Sequence, residues 1–190
     1  MRIFNKFIRR SLTAVLSIGV VFSGVQFYEN YTYSANLNSF LEDAAVVSSL
    51  HKESSEEFSL LLDFDQINRE QFESSLNKIV NNAQEAYNLL SNTDQNFLSK
   101  EKDLLEISAT SWLKGLETFQ VSMITLIDSE YSQEIEESIA DSIVDLSIGD
   151  KAYNDFLNLV TEKGESENIF LPELYSIEYT ELESTAYRFA

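Results

Sequence analysis

Two patterns of different grain divide the chain. From Ser11 to Tyr28 (SLTAVLSIGVVFSGVQFY) no residue carries a charge, whereas from Leu37 to Val160 apolar residues recur at steps of three and four among many charged ones. The first pattern predicts a membrane-inserting helix and the second a set of amphipathic helices that pack on one another. Leu37, Phe40, Ala44, Val47, His51, Ser54, Phe58 and Leu61, widened by Leu41 and Leu62, mark a helix over 34–62. Asp63 to Asn68 supplies the turn. Phe72, Leu76, Ile79, Ala83, Ala86 and Leu90, with Val80 and Tyr87 beside them, mark a second helix over 68–91, after which Asn92, Thr93 and Asp94 offer capping oxygens.

The third stripe is the longest. Leu105, Ser108, Trp112, Leu116, Phe119, Met123 and Leu126 share one face of a helix over 95–128, accompanied by Leu98, Leu104, Leu113, Ile124 and Ile127. Ile135, Ile139, Ile143 and Leu146 make a narrower stripe over 132–147. Gly149-Asp150 is then expected to break the helix, with Asp150 capping a last one whose inner face is Tyr153, Phe156, Leu157 and Val160 and whose stop is Gly164. Beyond it, Tyr175, Ile177 and Tyr179 alternate with polar residues. A lone strand has nothing to pair with in a helical domain, so this alternation predicts an extended tail packed partly along the bundle, or a place where a partner adds a strand.

After the uncharged run only Gly115, Gly149, Gly164 and Pro172 punctuate the chain, which suits long helices and not a turn-rich β fold. The expected fold is therefore all-α: a basic flank (1–10), a transmembrane signal-anchor helix (11–28), an antiparallel bundle of four to five helices (29–164) and an irregular C-terminal tail (165–190).

Arg2, Lys6, Arg9 and Arg10 precede the uncharged run, and basic flanks stay on the cytoplasmic side, so the N-terminus is expected inside and the bundle outside. Eighteen residues at roughly 1.5 Å each cover about 27 Å, just short of a ~30 Å hydrocarbon core. Phe27, Tyr28, Tyr31 and Tyr33 stand where an outer aromatic belt would lie, with Phe4 and Phe7 on the inner side. The rival reading is a cleaved signal ending at Ser23, with Val21 three positions in from the cut, which makes the product a secreted or periplasmic protein. A lipoprotein signal is excluded because the chain has no cysteine, and the Arg9-Arg10 pair lacks the flanking pattern of a twin-arginine signal.

Charge changes the picture next. All 32 acidic residues lie at or after Glu29, with nine of the 13 Lys and Arg, so that part carries a formal charge of −23. Such a surface repels phosphate backbones and anionic headgroups, which argues against nucleic acid; it favours cations or a basic protein partner. The absence of cysteine removes disulfides, thiol catalysis and cysteine-ligated metals.

Candidate chemistry is sparse. His51 is the only histidine and lies on the apolar stripe between Ser48 and Ser54, so a hydrogen-bonded core residue is expected; one histidine cannot build a di-iron bundle, and no nucleophile elbow accompanies it. Asp63 to Asn68 begins like a calcium loop but lacks its glycine and its bidentate Glu. Glu134, Glu136, Glu137, Asp141 and Asp145 read as a solvated acidic face. Trp112, flanked by Ser108, Ser111 and Gly115, predicts close helix packing around a large ring. Gly19 and Ser23 form a small-x-x-x-small pair that would allow two spans to approach as a homodimer, and Asn30-Tyr31-Thr32 is a glycosylation sequon. The expected function is binding or structural association by a membrane-anchored protein, with no cofactor, no metal and no catalytic site; the alternative is a secreted or periplasmic acidic carrier of cations or basic ligands.

Overall fold

A computed structural model describes residues 36–62, 68–91, 99–129, 131–167 and 169–180. The chain divides into two compact units, Met1–Ser39 and Phe40–Ala190, and the second holds the packed core. The described residues form four helices and no strand: α1 (36–62), α2 (Arg69–Ser91), α3 (Ser99–Asp128) and α4 (Gln133–Glu167), followed by an extended segment over 169–180. The expected basic flank, the transmembrane helix, the turn at 63–67 and the caps at 92–94 lie outside these residues. Among the described residues no helix is long and apolar enough to cross a membrane.

Consecutive helices run antiparallel. Lys78 of α2 reaches Glu53 and Glu57 of α1, Gln120 of α3 reaches Asn77 of α2, and Ser122 of α3 meets Ser138 of α4. Helix α2 starts as its sequence dictates. Asn68 accepts the Glu70 amide on its side chain at 2.9 Å and the Phe72 amide on its carbonyl at 3.0 Å, which satisfies two amides that a helix start leaves without an internal partner.

The periodic stripes become the core. Every stripe position of α1 from Phe40 to Leu61 is buried, as are all six of α2 and those of α3 from Leu105 to Phe119. Rings lock the helices together: Phe40 meets Phe156 edge to face at 6.2 Å, and Phe58 meets Phe119 at 4.9 Å. Such aromatic pairs add about 0.5–1.5 kcal/mol beyond the area they bury.

Two boundaries differ from the sequence expectation: α4 passes Gly164, its expected stop, to end at Glu167, and it does not break at Gly149. Helix α4 continues through Gly149-Asp150 to Glu167, so what the pattern splits at Gly149 is a single helix. The glycine is there for proximity and not for a turn: a Cβ on Gly149 would stand 2.6 Å from Trp112 Nε1, inside the indole's own space. Gly115 serves the same approach from α3, since a Cβ there would fall 2.9 Å from the Ser142 carbonyl oxygen. Helix α4 thus accepts roughly 1 kcal/mol of glycine penalty in its middle and gains contact with the largest side chain in the core.

Candidate functional site

The densest chemistry in the described residues surrounds Trp112. Its ring stacks at a tilt on His51 of α1, with centroids 4.3 Å apart, and touches Tyr153 of α4 at 5.2 Å and Tyr179 of the extended segment at 5.6 Å. The indole Nε1 donates to Asp150 Oδ1 at 2.8 Å. Asp150 is not the helix cap that its place after Gly149 suggests; it sits in mid-helix, only 6% exposed, with its carboxylate pointed into the bundle.

That carboxylate holds the extended segment. The Tyr179 amide donates to both carboxylate oxygens at 3.1 Å, and the Thr180 amide and hydroxyl both donate to Oδ2, at 2.9 and 2.8 Å. None of these donors is a cation, so among the described residues the charge is met by dipoles. Burial raises the Asp150 pKa, and the hydrogen bonds from Tyr179, Thr180 and Trp112 oppose that rise without cancelling it.

A second anchor lies toward the N-terminal side of the segment. Ser48 Oγ of α1 accepts the Tyr175 amide at 2.8 Å, while the Tyr153 hydroxyl lies 2.8 Å from Ser48 Oγ and 3.0 Å from the Tyr175 carbonyl oxygen. Tyr153 is buried enough to push its phenol up to about 12. The Lys52 ammonium rests 4.5 Å from the centre of the Tyr175 ring. Between the anchors, Ile177 and Tyr179 point inward and are buried while Ser176 and Glu178 face water. The extended tail expected from the alternation is present and packs along the bundle.

His51 is fully buried. Its Nδ1 lies 2.9 Å from the Tyr179 hydroxyl, which also reaches the His51 carbonyl oxygen at 3.4 Å. Desolvation lowers its pKa from 6.5 to about 3, so the ring is neutral in ordinary buffers, and burial likewise pushes the Tyr179 phenol well above its usual value. Among the described residues His51 Nε2 and Ser54 Oγ have no hydrogen-bond partner. Ser54 nevertheless lies near enough to the Tyr179 phenol to oppose the rise that burial causes.

The other expected positions are dispersed. Glu134, Glu136, Glu137 and Asp141 are exposed on α4; Asp145 is tied to Lys114 at 3.0 Å and Glu136 to Tyr131. A shallow hollow of about 500 Å³ beside Tyr131, Gln133, Glu136, Glu137 and Ala140 opens on this face. Among the described residues no group of three or more His, Asp or Glu side chains is placed to hold a metal ion. Arg2, Lys6, Arg9, Arg10, Gly19, Ser23, the sequon at Asn30 and the calcium-like loop at Asp63 lie outside the described residues.

Asp150, Ser48 and the partners they take from the extended segment are what sequence reasoning missed. A faint signal exists: an acidic residue directly after a mid-helix glycine, one turn from the inward Tyr153, sits on the buried face if the helix does not break. No protein-family model matches the chain, and neither do curated proteins or solved structures.

Proposed function

We propose that the chain is a single-pass membrane-anchored protein with a cytoplasmic N-terminus, whose acidic helical domain lies outside the cytoplasm and acts by binding or structural association. One observation carries this reading: four basic residues precede Ser11, no charge follows until Glu29, and all 32 acids come at or after that point. The domain itself supports it. Three of its buried polar groups, Asp150, Ser48 and His51, are engaged with the chain's own extended segment, a use that suits recognition of a polypeptide.

Membrane fractionation with N-terminal sequencing of the mature chain tests the anchor. The expected result is a membrane-bound product that retains Ser11–Tyr28. A soluble product beginning at Gly24 would replace the anchored protein with the secreted or periplasmic acidic carrier, a reading favoured by Val21 and Ser23. Topology has its own test. A reporter active only outside the cytoplasm, fused after Tyr33, should give signal, and activity of a cytoplasmic reporter at that position would refute the orientation.

A further inference from the structure

The extended segment 169–180 is bound to the helices as a ligand is bound to a receptor. It turns back after Glu167, where the Ile169 amide donates to the Gly164 carbonyl at 2.9 Å, and runs antiparallel to α4 with Leu171 over Gly164 and Tyr179 over Asp150. Its polar contacts with the cleft come from backbone groups of Tyr175, Tyr179 and Thr180, from the Thr180 hydroxyl and from the Tyr179 phenol. Whatever fills the cleft must present two consecutive amides and a hydroxyl to Asp150, a phenol to His51 and two apolar side chains spaced two residues apart. An empty cleft is costly, because Asp150 would keep the indole as its sole protein donor and His51 Nδ1 would lose its partner.

The same segment of a second copy meets every one of these requirements, atom for atom. Exchange therefore replaces each contact with an identical one and costs little beyond association itself. Residues 169–174 link α4 to the bound residues. Phe170 is 89% exposed, the most exposed of the large apolar residues described, and it stands in this link. Two links crossing in an exchanged pair would bring the two Phe170 rings to the crossing and out of water. We propose that the cleft of Ser48, His51, Trp112, Asp150 and Tyr153 is an intermolecular docking site that takes residues 175–180 of a second copy in place of its own.

The absence of cysteine makes the test clean. Full-length chains carrying Lys52→Cys and differently tagged full-length chains carrying Tyr175→Cys are mixed in detergent and treated with a short bismaleimide, and a chain carrying both substitutions verifies that the reagent spans the pair. The expected result is a covalent product between the two tagged chains, about tenfold above that from Val121→Cys paired with Tyr175→Cys, which reports random collision. A synthetic peptide of residues 169–180 in excess should abolish it, and Asp150→Asn in the Lys52→Cys chain should lower it about tenfold with helicity retained. Linkage within the double variant but none between chains would overturn the proposal. So would a cross-chain product indifferent to the peptide, which would mean association through the N-terminal segment or another surface.

Discussion

Around Trp112 the bundle is closed on every side, whereas further along the same helix, past Phe119, residues of the same apolar rhythm stand in or near water. His51, Trp112, Tyr153 and Phe156 are fully buried. Ile127 is exposed, and Met123 and Leu126 are only half-buried. Composition does not separate the two regions; cover does. The Trp112 region has a lid, since residues 175–180 close it from outside. Periodicity states which face of a helix is apolar, and what packs against that face decides how much of it is buried.

The sharpest way to break this comparison is to remove its centre. Trp112→Ala should destabilise the protein by about 3–5 kcal/mol, the usual range for deleting a buried aromatic, as measured by chemical denaturation followed by circular dichroism. A loss below about 1 kcal/mol would mean that the closed region is not the stability core.

Acid acts on the same region. His51 has a folded pKa of about 3 against an ordinary 6.5, so its neutral burial contributes stability that is complete above pH 6.5 and is lost as pH falls toward 3. For His51 alone that loss is on the order of 4 kcal/mol. Asp150 has the opposite sign: its raised pKa means that its buried charge costs stability, which returns as pH falls through the raised value, and the net loss is smaller. At the alkaline end, Tyr153, pushed up to about 12, and Tyr179, pushed well above its usual value by burial, must stay protonated, so stability declines as pH rises above 10. The melting temperature of the full chain should therefore plateau between pH 6.5 and 10, and His51→Gln should flatten its acid limb. An unchanged limb in that variant would assign the acid response elsewhere.

A smaller effect tests the packing of α3 on α4. Gly149→Ala places a methyl against the indole and should cost about 1–3 kcal/mol, although alanine is the better helix former by about 1 kcal/mol. Stabilisation instead would show that the ring can give way. The smallest change belongs to the open end. Val121→Ser and Ile127→Ser should each stay within about 0.5 kcal/mol of the parent in the same denaturation experiment, and a loss above about 2 kcal/mol would reveal a neighbour that covers them.

Much of the fold is legible in the sequence because it is local. The stripes of α1 and α2 name their buried residues position by position, and the alternation at Tyr175, Ile177 and Tyr179 announces an extended segment. Gly149-Asp150 misleads because the rule that glycine ends helices concerns backbone freedom, while the reason for this glycine lies 37 residues earlier, in an indole that needs the space of a missing Cβ. Asp150 misleads in the same way: by local chemistry it is a cap, and only its juxtaposition with the amides of Tyr179 and Thr180, about 30 residues on, makes it a receptor for chain. His51 falls between these cases. Its stripe position gives its burial, but its tie to Tyr179 spans 128 residues and no periodicity carries it.

The chain has a single tryptophan, and its indole N–H lies on the carboxylate that holds the extended segment. The protein thus carries its own optical probe at the place where that segment engages. With the cleft filled, the indole is shut away from water and emits toward the blue. Departure of residues 175–180 admits solvent and shifts the emission red, and a charged imidazole stacked at 4.3 Å quenches it. Colour and brightness therefore report separately on whether the cleft is occupied and whether His51 has taken up a proton, without any label.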